Sequence, residues 1–343
     1  VSKESVLVVC PGRGTYNAPE LGYLARYHAG SDWLRRFDEM RGDKATLSEL
    51  DGAVRFDPGV HLRGDVAAPL IYAASYLDFL SLDRERFEVV AVTGNAMGWY
   101  TALACAGAVS GEHGFAIADA MGGNSQLHEP GGQAVLVLAG ADWRVDPAVR
   151  AGVAAAMARH GVLASIMLGG MLVVAGTDAA LDALTVDVSG VLPRAPLRLA
   201  GHGPFHTPLM GPSSAAARAG LPVEWFGGPQ VPLIDGRGKV WRRFDSTAEA
   251  LWDYTFGAQI LTPYDFSAAM TVALREFAPD RIVLLGPGET LGGAIGQVMV
   301  ALDWLDIGDK AGFAARQGSD AFLIGMGRPS QRGIAAQRGC VTS

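Results

Sequence analysis

Residues 87–106 run Phe87-Glu88-Val89-Val90-Ala91-Val92-Thr93-Gly94-Asn95-Ala96-Met97-Gly98-Trp99-Tyr100-Thr101-Ala102-Leu103-Ala104-Cys105-Ala106, and how they are read decides the fold. The apolar run to Thr93 reads as a buried strand, and the stretch from Tyr100 to Ala106 is a good helix former. Only a few residues separate the two. A turn that passes so tightly from strand to helix needs small residues two before and two after its tip, because larger side chains would collide across it. Gly94 and Gly98 supply them. Such an elbow usually displays a nucleophile, with the next amide, here Met97 N–H, aimed at a developing oxyanion. The tip here is Ala96, whose methyl group cannot react.

The same strand-turn-helix pattern recurs on either side of the elbow. Ser5-Val6-Leu7-Val8-Val9-Cys10 ends in Pro11-Gly12-Arg13-Gly14, and Arg281-Ile282-Val283-Leu284-Leu285 ends in Gly286-Pro287-Gly288-Glu289 before a helical pattern. Apolar strands alternating with helices point to an α/β fold with a parallel sheet. Between Gly132 and Ala200 the pattern changes to βαββαβ spacing with a poorly marked second strand, which suggests a small α+β subdomain. Gly131-Gly132 and Gly201-His202-Gly203 are its expected borders. The predicted organisation is a large α/β part over 1–131 and 201–310, the small part over 132–200, and a basic tail over 311–343.

The 343 residues are 49% hydrophobic and 18% charged, a profile that supports a full core. Apolar runs are far shorter than the roughly 20 residues a spanning helix needs, and the start lacks signal-peptide sections, so a cytoplasmic protein with no membrane contact is expected. A formal charge of −7 argues against nucleic acid as a partner. Local basic segments around Arg237 to Arg243, and at Lys310, Arg316, Arg328, Arg332 and Arg338, could meet an acidic partner. Cys10, Cys105 and Cys340 show no metal-ligand spacing, so neither a disulfide framework nor a metal site is expected. Neither glycine loop is a nucleotide fingerprint, since Asn17 and Leu291 stand where a third glycine belongs.

Gly203-Pro204-Phe205-His206-Thr207-Pro208-Leu209-Met210 places a histidine on a proline-flanked turn outside any amphipathic period. A lone histidine is more often a structural polar group. Joined with an upstream elbow, it becomes the base of a Ser–His or Cys–His arrangement.

Four segments in order, Cys10 to Gly14, Gly94 to Tyr100, Gly203 to Met210 and Leu285 to Gly288, resemble the motifs of the malonyl-CoA:acyl carrier protein transacylases and the related acyltransferase domains of fatty acid and polyketide synthases. The likeness runs from about Ser5 to Ile307. It implies an α/β-hydrolase-like parallel sheet carrying a ferredoxin-like insert. It also implies an acyl group passed from a CoA thioester through a serine ester to the phosphopantetheine thiol of an acyl carrier protein, with no permanent cofactor. By position, Ala96 is the nucleophile site and His206 the base. Met97 and Arg13 supply oxyanion amides, and a carbonyl near Thr262 orients the histidine.

The departures from the family pattern carry information as well. Asn95, Trp99 and Arg13 replace the family's histidine, glutamate and glutamine. Met121, in Ala120-Met121-Gly122-Gly123-Asn124-Ser125-Gln126, stands where the family arginine grips a malonyl carboxylate, so an uncharged acyl group is expected unless Arg13 takes over that task. Asn95, Trp99, Met121, Gln126 and Phe205 are the expected substrate-binding side chains. Alanine at the tip reads either as an introduced Ser→Ala change that stops turnover or as a natural loss of chemistry. Because His206 and both loops have little use without a nucleophile, the first is favoured. A thioester hydrolase acting on carrier proteins and a non-catalytic acyl-binding module are the neighbouring readings.

Overall fold

The computed structural model describes residues 2–337; Arg338 and Cys340 lie outside them. Its strands, in chain order, are β1 (Glu4–Cys10), β2 (Phe87–Gly94), β3 (Gly132–Val137), β4 (Leu163–Leu168), β5 (Met171–Gly176), β6 (Leu197–Arg198), β7 (Leu233–Ile234), β8 (Val240–Trp241), β9 (Tyr264–Asp265), β10 (Arg281–Leu284) and β11 (Leu323–Gly325). Six of them form one sheet in the order β11-β10-β1-β2-β7-β8, all parallel except β8, which pairs antiparallel with β7. β1 lies at the centre. Its Val6-Leu7-Val8-Val9-Cys10 run is fully buried, which is what a strand covered on both faces by helices requires of its sequence.

The β1-to-β2 connection includes the long helix Gly64–Leu80, which packs against the helix Gly111–Asn124. Fifteen of its seventeen residues are buried, so it lacks the polar face that would betray a helix by periodicity.

The second sheet has the order β6-β3-β5-β4-β9. Its first four members, with the helices Pro147–His160 and Asp178–Val188 between them, give the βαββαβ order and ferredoxin-like arrangement expected of the insert. Leu136, Val153, Val174, Leu181 and Leu184 form a separate core beneath it. The poorly marked second strand is β4, whose register with β5 shifts between Ala164 and Ile166 and breaks the alternation of its side chains. β9 comes from outside 132–200 and pairs parallel with β4, so the large part of the chain contributes to the small sheet's edge.

Within the described residues, the stretch expected as a basic tail is folded. Residues 310–335 form the helix Lys310–Ser319, strand β11 and the helix Pro329–Ala335. β11 continues the main sheet beside β10, and Arg332 reaches the buried carboxylate of Asp78 at 2.7 Å. Arg316 pairs with Asp320, and Arg328 with Glu289. Only the charge of Arg332 is spent on the buried core, while Arg316 and Arg328 remain partly exposed beside their partners.

Candidate active site

β2 ends at Gly94 and the next helix, Gly98–Cys105, begins four residues later. A Cβ on Gly94 would lie 2.3 Å from the Gly98 carbonyl oxygen, and one on Gly98 would lie 2.3 Å from that of Cys10. Backbone stands where any side chain would go, so the two glycines are what allow β2 to turn beside the end of β1. Between them Ala96 has φ 51, the left-handed conformation that costs a non-glycine residue about 1–2 kcal/mol. Asn95 N–H donates to Cys10, Gly98 N–H to Asn95 and Trp99 N–H to Ala96. The amides of Met97 and Arg13 donate to no protein acceptor among the described residues.

His206 also has a left-handed backbone, φ 58, on the turn that precedes Pro208–Met210. Its Nδ1 lies 2.7 Å from the main-chain oxygen of Gln259. A carbonyl can only accept, so Nδ1 carries the proton and Nε2 is left as the acceptor of a neutral ring. Thr262 does not orient the histidine: it is exposed, and its own hydroxyl turns back to the Ala258 carbonyl at 2.7 Å. Gln259 takes the task for a reason visible in the sequence. Its carbonyl would ordinarily accept from the amide four residues on, which is Pro263 and has no N–H. The short helix Gln259–Leu261 ends there, with Thr262 extended, and the orphaned oxygen is free for the imidazole.

The side chain of the same glutamine donates to the Ala96 carbonyl at 3.0 Å, and Tyr100 Oη donates to its Oε1 at 3.3 Å. Burial pushes the His206 pKa down from 6.5 to about 4, against the opposing pull of the Gln259 carbonyl. The ring is therefore neutral at physiological pH.

Ala96, Met97, Arg13, Met121, Phe205 and His206 line one cavity of about 90 Å³, together with Ala68, Tyr100, Met210 and Ile260. Four expected residues fall outside it. Trp99 is fully buried beneath the elbow, where its Nε1 donates to Thr255 at 3.0 Å; three residues past the tip, in the first turn of the helix, its side chain points into the core rather than over the pocket. Asn95 is turned toward the Gly12 loop, with Nδ2 3.2 Å from where a Cβ of Gly12 would sit. Gln126 lies on an outer cleft that shares Gly64 and Gly122 with the inner cavity, and Thr262 is at neither. Gln259, Tyr100, Ser125 and Ser213 are the residues that sequence reading missed. For Gln259 the signal was present, in the proline four positions on.

Arg13 stands at the mouth. Its guanidinium donates to the carbonyls of Leu62 at 2.8 Å and Gly201 at 3.0 Å, and it lies over the Phe205 ring. Burial lowers its pKa to about 10, opposed by Asp65, so it stays charged at neutral pH. Beside it, burial and then the Arg13 charge hold His202 at about 3, with Nδ1 2.9 Å from Gln133 Oε1. Among the described residues no group of three or more His, Cys, Asp or Glu side chains could hold a metal ion, and no helix is long and apolar enough to cross a membrane.

No family model matches the chain, and no curated protein matches its sequence. Solved structures do. A malonyl-CoA:acyl carrier protein transacylase (MCAT) from Mycobacterium tuberculosis superposes with a TM-score of 0.72 at 23% identity, over 95% of this chain and 98% of its own. An acyl-carrier-protein S-malonyltransferase from Burkholderia pseudomallei gives 0.73 at 22%, over 96% and 98%. A malonyl-transacylase solved in complex with its type II PKS acyl-carrier protein gives 0.69 at 20%, over 86% and 93%. The chain thus has the fold of the malonyl-CoA:acyl carrier protein transacylases, the family that its four sequence motifs resemble.

Proposed function

We propose that this chain is the framework of a serine acyltransferase that moves an acyl group from a CoA or carrier-protein thioester to the phosphopantetheine thiol of an acyl carrier protein, and that Ala96 leaves it able to bind but not to turn over. The observation that carries the reading is the meeting, in one cavity, of a left-handed elbow residue and a neutral histidine whose Nδ1 is tied to a main-chain oxygen. The structural neighbours are acyltransferases, and one was solved with its carrier protein.

With a serine at position 96, the steps follow from the groups present. The serine oxygen adds to the thioester carbonyl carbon while its proton passes to His206 Nε2. The negative charge formed on the carbonyl oxygen is met by the free amides of Met97 and Arg13. Collapse breaks the carbon–sulfur bond, and the leaving thiolate takes the proton from His206. The carrier thiol then reverses each step, giving its proton to His206, adding to the ester and expelling the serine oxygen. In this chain no oxygen stands at the tip, so the first bond cannot form.

The acyl group is an uncharged one. Met121 lines the cavity where a counter-charge for a carboxylate would be needed, and the Arg13 guanidinium is already engaged with two carbonyls. A carboxylate buried there would lose a charge-assisted pair.

The test is Ala96→Ser incubated with a panel of acyl-CoA thioesters and followed by intact-protein mass spectrometry. A lasting adduct that moves to a carrier thiol supports transfer. Rapid loss to water instead points to a hydrolase, and no adduct from any donor leaves a binding module.

A further inference from the structure

The irregularity in β4 falls on one residue. Ala164 pairs with Val174 and Ile166 with Val173, so Ser165 between them has no partner on β5. A bulge of this kind re-aims the side chain it frees. Ser165 is fully buried, and its Oγ lies 2.8 Å from the Phe205 carbonyl oxygen and 2.6 Å from Nε2 of Gln133. Gln133 belongs to β3, on the far side of β5, and is buried as well. The residue opposite it on β5 is Ala175, whose small side chain leaves room for the amide to reach over the middle strand. Gln133 Oε1 in turn meets His202 Nδ1 at 2.9 Å.

One arrangement of protons satisfies all three contacts. The Phe205 carbonyl can only accept, so the serine hydroxyl donates to it. The serine oxygen then accepts from the glutamine N–H, and the glutamine carbonyl from His202 Nδ1–H. Every donor points the same way, and hydrogen bonds in series polarise one another inside a protein.

The series ends on the peptide bond that enters the base. The Phe205 carbonyl and the His206 nitrogen share one rigid plane, and the His206 φ of 58 is a rotation measured from that plane. His206 N–H donates to no protein acceptor among the described residues, so the plane is held from its carbonyl side. A left-handed backbone on a non-glycine residue persists only where its surroundings over-determine it. The ring is tied to the Gln259 oxygen, and Thr207 Oγ1 donates to the Pro204 carbonyl at 2.6 Å. The Ser165 bond is the tie that comes from the small sheet.

We propose that Gln133 and Ser165 are positioning residues for the base, holding the Phe205–His206 peptide so that His206 Nε2 keeps its place in the cavity shared with Ala96. The inference rests on the acyl-transfer reading and adds to it two residues that do not line the cavity.

Two measurements separate this role from general stability. In the chain as it stands, proton NMR follows the His206 Nδ1–H, and Ser165→Ala and Gln133→Leu should each speed its exchange with water by about tenfold. In the Ala96→Ser protein the same replacements should lower kcat by about tenfold while KM for the acyl donor stays within about twofold. Ser165→Thr keeps a hydroxyl and should restore both readings. Unchanged exchange and kcat in both variants, a loss confined to KM, or a Ser165→Thr protein no better than Ser165→Ala overturns the assignment. Faster exchange in the two variants, with no adduct on the Ala96→Ser protein from any donor, keeps the positioning role and overturns the acyl reading instead.

Discussion

Gln259 and His206 are joined through the main chain of one and the ring of the other, 2.7 Å apart, while the glutamine's side chain donates to the carbonyl of Ala96. One residue thus holds both the His206 ring and the bend that carries Ala96. Its carbonyl is available because Pro263 cannot compete for it.

Gln259→Ala keeps the main-chain contact and removes the amide. In the Ala96→Ser background, kcat should fall by about tenfold with KM little changed, since the bend loses a fixed partner but the pocket walls stay. Steady-state kinetics with the best acyl donor reads this directly. A change confined to KM would contradict the positioning role.

Ala96→Gly should raise stability by about 1 kcal/mol, because glycine adopts φ 51 without the steric cost that alanine bears. Gly98→Ala should do the opposite by about 3 kcal/mol, because its Cβ meets backbone at the end of β1 that cannot move aside. Urea unfolding of both variants beside the parent chain gives the two signs.

Burial holds His206 at about 4 and His202 at about 3, both below the 6.5 of an ordinary histidine. Between pH 6.5 and 4 the unfolded chain therefore takes up protons that the folded chain refuses. Stability is fully present above about pH 6.5 and declines as the pH falls through that window. His206→Gln should flatten the decline by roughly half, with His202 supplying the rest; urea midpoints at pH 7, 5.5 and 4.5 measure it. An unaltered slope would take His206 out of the linkage.

Met121→Arg, again with Ala96→Ser, puts a cation where the cavity now has a thioether. Malonyl transfer should rise at least tenfold relative to that of an uncharged acyl group of similar size, through a charge-assisted pair with the carboxylate. Competition between the two donors, read by the mass of the adduct, decides the matter.

The buried carboxylate of Asp78 accepts from Arg332 at 2.7 Å, Tyr23 at 2.7 Å and the Gly286 amide at 2.8 Å, with His28 Nε2 at 2.8 Å. Arg332→Met leaves that charge without its permanent counter-ion and should cost about 3 kcal/mol in a urea titration. A loss near zero would mean that the Arg332–Asp78 pair adds nothing to stability.

The elbow and the histidine turn were legible in the sequence because each is specified locally, by glycines at fixed offsets and by flanking prolines. The ends of the three main strands were legible for the same reason. Residues on convergent helices were not. Tyr100, Ser125 and Ser213 come from three different helices, and nothing in their own neighbourhoods says that those helices face one cavity. Trp99 reads equally well as a lid or as a core side chain until Thr255, far along the chain, is seen to receive its N–H. Arg332 looked like part of a solvated run because its partner, Asp78, lies at the other end of the sequence on a helix with no polar face to announce it.

Tyr264 belongs to β9 at the edge of the small sheet, donates from its hydroxyl to the Gly94 carbonyl at 2.5 Å, and lies 5.4 Å from the His206 ring, centre to centre. The two sheets are therefore not hung on a free hinge beside the cavity. Any rocking of one against the other pulls on the Gly94 carbonyl, so strain at the small sheet's edge is felt in the cavity that holds Ala96 and His206.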